Sequence, residues 1–186
     1  MLANWSTWFP GCDPVGHRLR VAFPERWVRF HSLPCSKRYA EDDGERATIL
    51  SRHNCILAEL ATTGEEVALL TTGYSETPTP PIRSNPDLSR LDPLARPWRT
   101  VAYEPEERSF RHLFASTRKW APGVFDPIVA LVADDRVTDV IIVALDGRWL
   151  VHPYDGGMDL ITGSSEHRDA IKERHKDWLS SRTDGL

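Results

Sequence analysis

The stretch Val137-Thr138-Asp139-Val140-Ile141-Ile142-Val143-Ala144-Leu145-Asp146-Gly147-Arg148-Trp149-Leu150-Val151-His152-Pro153-Tyr154-Asp155-Gly156-Gly157-Met158-Asp159-Leu160-Ile161-Thr162 decides the fold of this chain. Val137 to Leu145 is an apolar run too short to span a membrane and rich in β-branched residues, the composition of a buried central strand. Asp146-Gly147 then calls for a tight hairpin, because this dipeptide suits the left-handed backbone of short turns. Arg148 to Tyr154 reads as the returning strand, Asp155-Gly156-Gly157 as a second turn, and Met158 to Thr162 as a third strand. Strands joined so tightly run antiparallel, since a parallel neighbour needs a long crossover.

Working outward, Ser164 or Ser165 is placed to cap a final helix whose Ile171, His175, Trp178 and Leu179 share one face. Trp178 and Leu179 are expected to bury against the sheet formed by Val137 to Thr162, which needs a cover on its apolar face. Upstream, Asp126-Pro127 starts a short helix, with aspartate as the cap and proline in the first helical position. Trp98 to Glu104 and Phe110 to Trp120 read as strands joined across Pro105-Glu106-Glu107, and Val67 to Tyr74 as another. Six prolines between Thr77 and Pro97 mark a surface loop at about 75–97.

Asp42 followed by Glu45 has the spacing of a capping box, and Ile49, Leu50, His53, Ile56, Leu57 and Leu60 recur at helical intervals until Gly64. Trp27 to Leu33 alternates as a strand, with Arg29 and His31 on one face. His17 to Phe23 alternates in the same way, which suggests a first strand hairpinned to it at Pro24-Glu25. The expected order is β-β-α-β-β-β-α-β-β-β-α: an α+β fold with a mainly antiparallel sheet and three helices, as a single domain over residues 1–186.

The composition is that of an ordinary globular chain: 186 residues, 40% hydrophobic, 27% charged, with seven tryptophans as large packing groups. A formal net charge of -4 disfavours nucleic acid as a partner, because sequence-independent binding needs a continuous basic face. Cys12, Cys35 and Cys55 lack paired spacing and read as free thiols of a reducing compartment. Met1 to Pro10 carries neither a basic residue nor a long apolar run, so no secretory signal and no membrane partner is expected; the expected location is the cytoplasm.

Several phrases carry a family resemblance: Trp27-Val28-Arg29-Phe30-His31-Ser32-Leu33-Pro34, Ser36-Lys37-Arg38-Tyr39, Arg52-His53-Asn54 with Leu57-Ala58-Glu59-Leu60, His152-Pro153-Tyr154-Asp155-Gly156-Gly157-Met158-Asp159, and Asp177-Trp178-Leu179-Ser180-Ser181. Together they resemble a family of uncharacterised bacterial proteins, a domain of unknown function. The resemblance runs in order through most of the chain apart from the proline-rich middle. It implies no activity, substrate or catalytic residue.

The candidate chemistry lies in two places. Arg29, Ser36, Lys37, Arg38 and Tyr39 offer guanidinium forks and hydroxyls suited to an anion or a carboxylate-bearing partner, and Tyr154 and Asp159 extend the binding set. His152 with Asp155, or His31, supplies an imidazole near a carboxylate, the arrangement of a general base. His53 and His175 fall on apolar helical faces and read as structural histidines. Metal-ligand spacing, a nucleophile elbow and nucleotide-binding loops are missing from the sequence, so neither a metal nor a cofactor is expected. Two functions remain in competition. The first is a non-enzymatic cytoplasmic binding or accessory protein, an immunity-type or regulatory partner of another protein or of a small anionic ligand. The second is a small enzyme acting on an anionic metabolite, with His31 or His152 and Asp155 as its acid–base set. A concave pocket shared by both loops would favour the enzyme; an open surface would favour the binding protein.

Overall fold

The computed structural model describes residues 2–83, 85–104, 109–182 and 185. In chain order its elements are α1 (Trp5–Trp8), α2 (Gly16–Ala22), β1 (Trp27–His31), α3 (Asp43–Leu60), β2 (Glu66–Ser75), α4 (Pro86–Leu91), β3 (Arg96–Glu104), β4 (Ser109–Lys119), α5 (Asp126–Ala133), β5 (Ile141–Ala144), β6 (Trp149–Tyr154), β7 (Gly157–Thr162) and α6 (Ser165–Arg174). The strands form one seven-stranded antiparallel sheet in the order β1-β7-β6-β5-β2-β4-β3. The fold is α+β and its sheet antiparallel. Six α-helices replace the expected three among the described residues, and seven strands the expected eight.

The meander forms as its turns dictate. β5 meets β6 through Ile142↔Val151, and β6 meets β7 from Trp149↔Thr162 to Tyr154↔Gly157. The central strand is shorter than the apolar run, covering only Ile141–Ala144, and all four of its residues are buried. Burial on both faces explains why this strand has no polar alternation. Helices α3, α5 and α6 cover one face, packing Ile49, Ile56, Leu57, Ile128, Val129 and Ile171 against Val28, Phe30, Leu69, Ile142, Val151 and Leu160. On the other face Leu2, Trp5, Phe9, Leu19 and Phe23 close over Ala68, Leu70, Ile141, Val143, Leu150 and Ile161.

That second layer contains the main departure from expectation. His17 to Phe23 is helical, not extended, and no hairpin forms at Pro24-Glu25: Pro24–Arg26 is a single 3-10 turn. The apolar alternation is incidental. Val15, Leu19 and Phe23 recur every fourth residue and are buried, whereas Val21 is 74% exposed. β1 therefore has no upstream partner and pairs instead with β7, from Trp27↔Ile161 to His31↔Gly157. Gly157 permits that docking, because a Cβ there would lie 2.1 Å from the Phe30 carbonyl oxygen.

Smaller differences have local causes. The proline-rich segment contains α4, started by Asn85, whose Oδ1 accepts from Leu88 N at 3.1 Å, with Pro86 in the first turn. α5 begins at Asp126 itself, and the Asp126 side chain is drawn away to accept from Asn54 Nδ2 at 2.6 Å, which ties α5 to α3. Asp42 does cap α3, accepting from Glu45 N at 2.8 Å, and Ser164 caps α6. Trp178 and Leu179 are only half-buried. α6 stops at Arg174, and the 3-10 turn that follows packs Trp178 and Leu179 against the core cluster without burying them fully, Trp178 meeting Phe30 of β1 edge-on. The expected Pro105-Glu106-Glu107 turn lies outside the described residues. Among those described, no helix is long and apolar enough to cross a membrane.

Candidate functional site

Register brings the first group of site residues together. Asp159 on β7 sits opposite Arg29 on β1 and His152 on β6, so three neighbouring strands set these side chains in one row. Arg29 grips the carboxylate with both prongs, Nε to Oδ1 at 2.8 Å and Nη2 to Oδ2 at 2.9 Å, and Trp27 Nε1 donates to Oδ1 at 2.9 Å. Asp159 is 2% exposed. Burial alone would raise its carboxyl, but the neighbouring His152 ring and the Arg29 guanidinium more than offset this and hold it at about 2. His152 Nδ1 is 3.9 Å from Oδ2, inside electrostatic range and beyond hydrogen-bond length, so Arg29 is the principal anchor.

The Arg29 guanidinium also lies over the Tyr154 ring, 4.4 Å from its centroid. Burial pushes the Tyr154 phenol up to about 12, and its hydroxyl is buried without a hydrogen-bond partner among the described residues. Both ring nitrogens of His152 are in the same position. Gly16 opens α2 directly over that imidazole, where a Cβ would fall 2.4 Å from the ring. Beside it lies a cavity of about 160 Å³ lined by Asp135, Asp139, His152, Tyr154 and Asp155, among others. Asp135 and Asp139 both hold φ of 55°, unusual backbone for aspartate. Asp139 receives the Tyr74 hydroxyl and lies 3.4 Å from Arg111 Nη2.

The second group is the loop after β1. Cys35 and Ser36 occupy the left-handed region in succession, at φ 55° and 56°, which turns the chain sharply and exposes both residues. Lys37 does not face outward as a free cation: its Nζ donates to both Glu45 oxygens at 2.7 Å and lies 3.2 Å from Glu41. Those hydrogen bonds raise the ammonium and lower the Glu45 carboxyl. Arg38 Nε lies 3.2 Å from Asp155, and the Tyr39 hydroxyl donates to the same carboxylate at 2.8 Å. Ser32 N donates to Gly156 O at 3.0 Å, so the loop and the β6–β7 turn are fastened through main chain as well.

The two sequence regions therefore converge, but with different partners from those the spacing suggests. His152 faces Asp159 instead of Asp155, because residues opposite each other in register share a face, whereas Asp155 lies in the turn. Asp155 is held by Arg38 and Tyr39. Arg29 binds Asp159 and is thereby separated from Ser36, Lys37 and Arg38. Burial and the Arg29 charge lower the His31 imidazole, and its main-chain oxygen accepts from Arg52 at 2.7 Å. His31 lines a groove of about 370 Å³ with Cys35, Ser36, Trp178 and Ser181, away from His152. Sequence reasoning missed Asp139, which lines the cavity, and Arg111, which lies against Asp139; their separation in the chain leaves no local signal.

These features define an α+β protein whose single antiparallel sheet is covered on both faces and carries a polar row at one edge. The chain belongs to the family described as Domain of unknown function (DUF3885), whose model matches residues 15–183. No curated protein and no solved structure matches it.

Proposed function

We propose that this chain is a non-enzymatic, cytoplasmic binding or accessory protein, of the immunity or regulatory kind, that recognises a carboxylate-bearing partner through Arg38 and Tyr39. The observation that carries the reading is the shared hold of these two residues on Asp155 at the meeting point of both loops. The Arg38 side chain is 61% exposed and Tyr39 48% exposed. An exposed pair of this sort contributes at most about 1 kcal/mol to stability, so a partner's carboxylate can take the place of Asp155 at little cost. The flanking hollows support a surface over an enzyme pocket. One is closed by Asp177 to Ser181 and the other by Val132 to Asp139, and neither has linings from both loops.

The test is affinity capture from the source cell with wild-type protein and with Arg38→Ala as bait. A partner retained by the wild type should bind the variant about 1.5 to 3 kcal/mol more weakly, the worth of a charge-assisted hydrogen bond, with an unchanged melting temperature. Retention at wild-type affinity, a bait that stays monomeric in native mass measurements, or unfolding of Arg38→Ala would overturn the reading. One observation favours the enzyme as a second reading: the buried, unpartnered nitrogens of His152 beside the cavity with Tyr154 and Asp139. It requires a small anionic metabolite in that cavity, and His152→Gln would then abolish turnover while sparing Arg38-dependent capture.

A further inference from the structure

Away from both loops, Cys55, Glu59 and His175 present a thiol, a carboxylate oxygen and an imidazole nitrogen that all lie within 4.8 Å of one another. We propose that these three residues bind a divalent transition-metal ion of the zinc type, with the fourth position open to water. The chemistry of the donors decides the class: sulfur and imidazole nitrogen select zinc-like cations, whereas calcium and magnesium take oxygen-rich sets.

The site is built on rigid parts. Cys55 and Glu59 are one turn apart on α3 and project from the same side of that eighteen-residue helix. His175 caps the end of α6, and its ring is clamped between Trp178, stacked at 4.2 Å between centroids, and the edge of Phe30 at 5.9 Å. This clamp aims Nε2 at Glu59 Oε1, with which it is hydrogen-bonded. Arg174 binds the other carboxylate oxygen through Nε at 2.8 Å and Nη2 at 2.6 Å. That contact orients Glu59 as outer partners orient metal-bound carboxylates, and it leaves Oε1 for the ion.

Binding displaces protons in a balanced way. The Cys55 thiol, raised by partial desolvation and by the Glu59 charge, releases its proton to solvent as the thiolate coordinates. The hydrogen bond to Glu59 places a proton on Nε2 of His175; that proton leaves through solvent as Nε2 coordinates, the neutral ring keeps one proton on Nδ1, and the Nε2–Glu59 hydrogen bond is replaced by two bonds to the ion. Cys55 and His175 are separated by most of the chain, so no ligand motif in the sequence announces the set. An ion here would fasten α6 to α3 and with them the groove beside His31 and Trp178.

The experiment is a cobalt(II) titration of the full-length, chelator-stripped protein, read by absorption. One equivalent should produce the visible bands of a tetrahedral centre together with a near-ultraviolet thiolate-to-cobalt band, and zinc should bleach both. Cys55→Ser should lose the thiolate band, and Cys35→Ser, in the loop after β1, should retain it. Because Cys55 is exposed, the serine variant should melt at the wild-type temperature without metal. Zinc should raise the melting temperature of the wild type and leave that of Cys55→Ser unmoved. Absence of a thiolate band, or a band that survives in Cys55→Ser, overturns the proposal and leaves His175–Glu59–Arg174 as an ion-pair pin between helices.

Discussion

A carboxylate as deeply buried as Asp159 is tolerable only while Arg29 is clamped to it, and this gives the residue a measurable acid signature. Its carboxyl is held at about 2 in the folded protein against an ordinary aspartate value of 3.8. A folded value below the unfolded one stabilises the fold above the unfolded value, and the contribution disappears as pH falls through the folded value. For Asp159 it is complete above about pH 4 and decays toward about pH 2, amounting to about 2 kcal/mol. Asp159→Asn removes this term, so urea unfolding should show a stability gap between wild type and variant that narrows by about that amount on acidification. A gap that stays constant with pH would mean that Arg29 and Asp159 do not pair as described. The same residues show what could be read in advance. Arg29, Asp159, Arg38, Tyr39 and Asp155 were all marked by their chemistry, but their pairing depends on strand register, which no local pattern encodes.

At the level of elements, hairpins and capped helices were legible and lone segments were not. The β5–β6–β7 meander follows from Asp146-Gly147 and Asp155-Gly156-Gly157, and α3 from Asp42 and its apolar stripe, because the determining contacts are local. α1 and α4 are too short to show a period, and α2 shows two periods at once. Side-chain truncation separates the two periods of α2. In a strand Leu19 and Val21 would share the buried face, whereas in the observed helix only Leu19 packs inward. Leu19→Ala should therefore cost about 2 to 5 kcal/mol, as for other buried leucines, while Val21→Ala should stay within about 0.5 kcal/mol of wild type. Equal losses from both, measured by chemical denaturation, would restore the strand. Pairing of β1 with β7 was equally illegible, because the strands lie at opposite ends of the chain and only the close approach at Gly157 hints at it.

For the molecule as a whole, the decisive feature is that the sheet is buried on both faces while one cover comes from only the first two dozen residues. Leu2, Trp5 and Phe9 are almost fully buried, Trp5 meets the Trp98 ring edge-on at 5.6 Å between centroids, and Phe9 meets Phe23 at 5.7 Å. The matched family region begins at residue 15, so these three side chains lie outside it although they complete the core. A sheet with strands as apolar as β5 does not tolerate water on one face. Trp5→Ala should cost about 3 to 5 kcal/mol, a large part of a typical domain's margin of about 5 to 15 kcal/mol. Removing residues 2–14 should go further and uncover Ala68, Leu70, Ile141 and Val143, producing a protein that binds a hydrophobic dye and self-associates. The three-layer account fails if that truncated chain remains monomeric and melts at the wild-type temperature, because the N-terminal segment would then be an appendage and not a wall of the core.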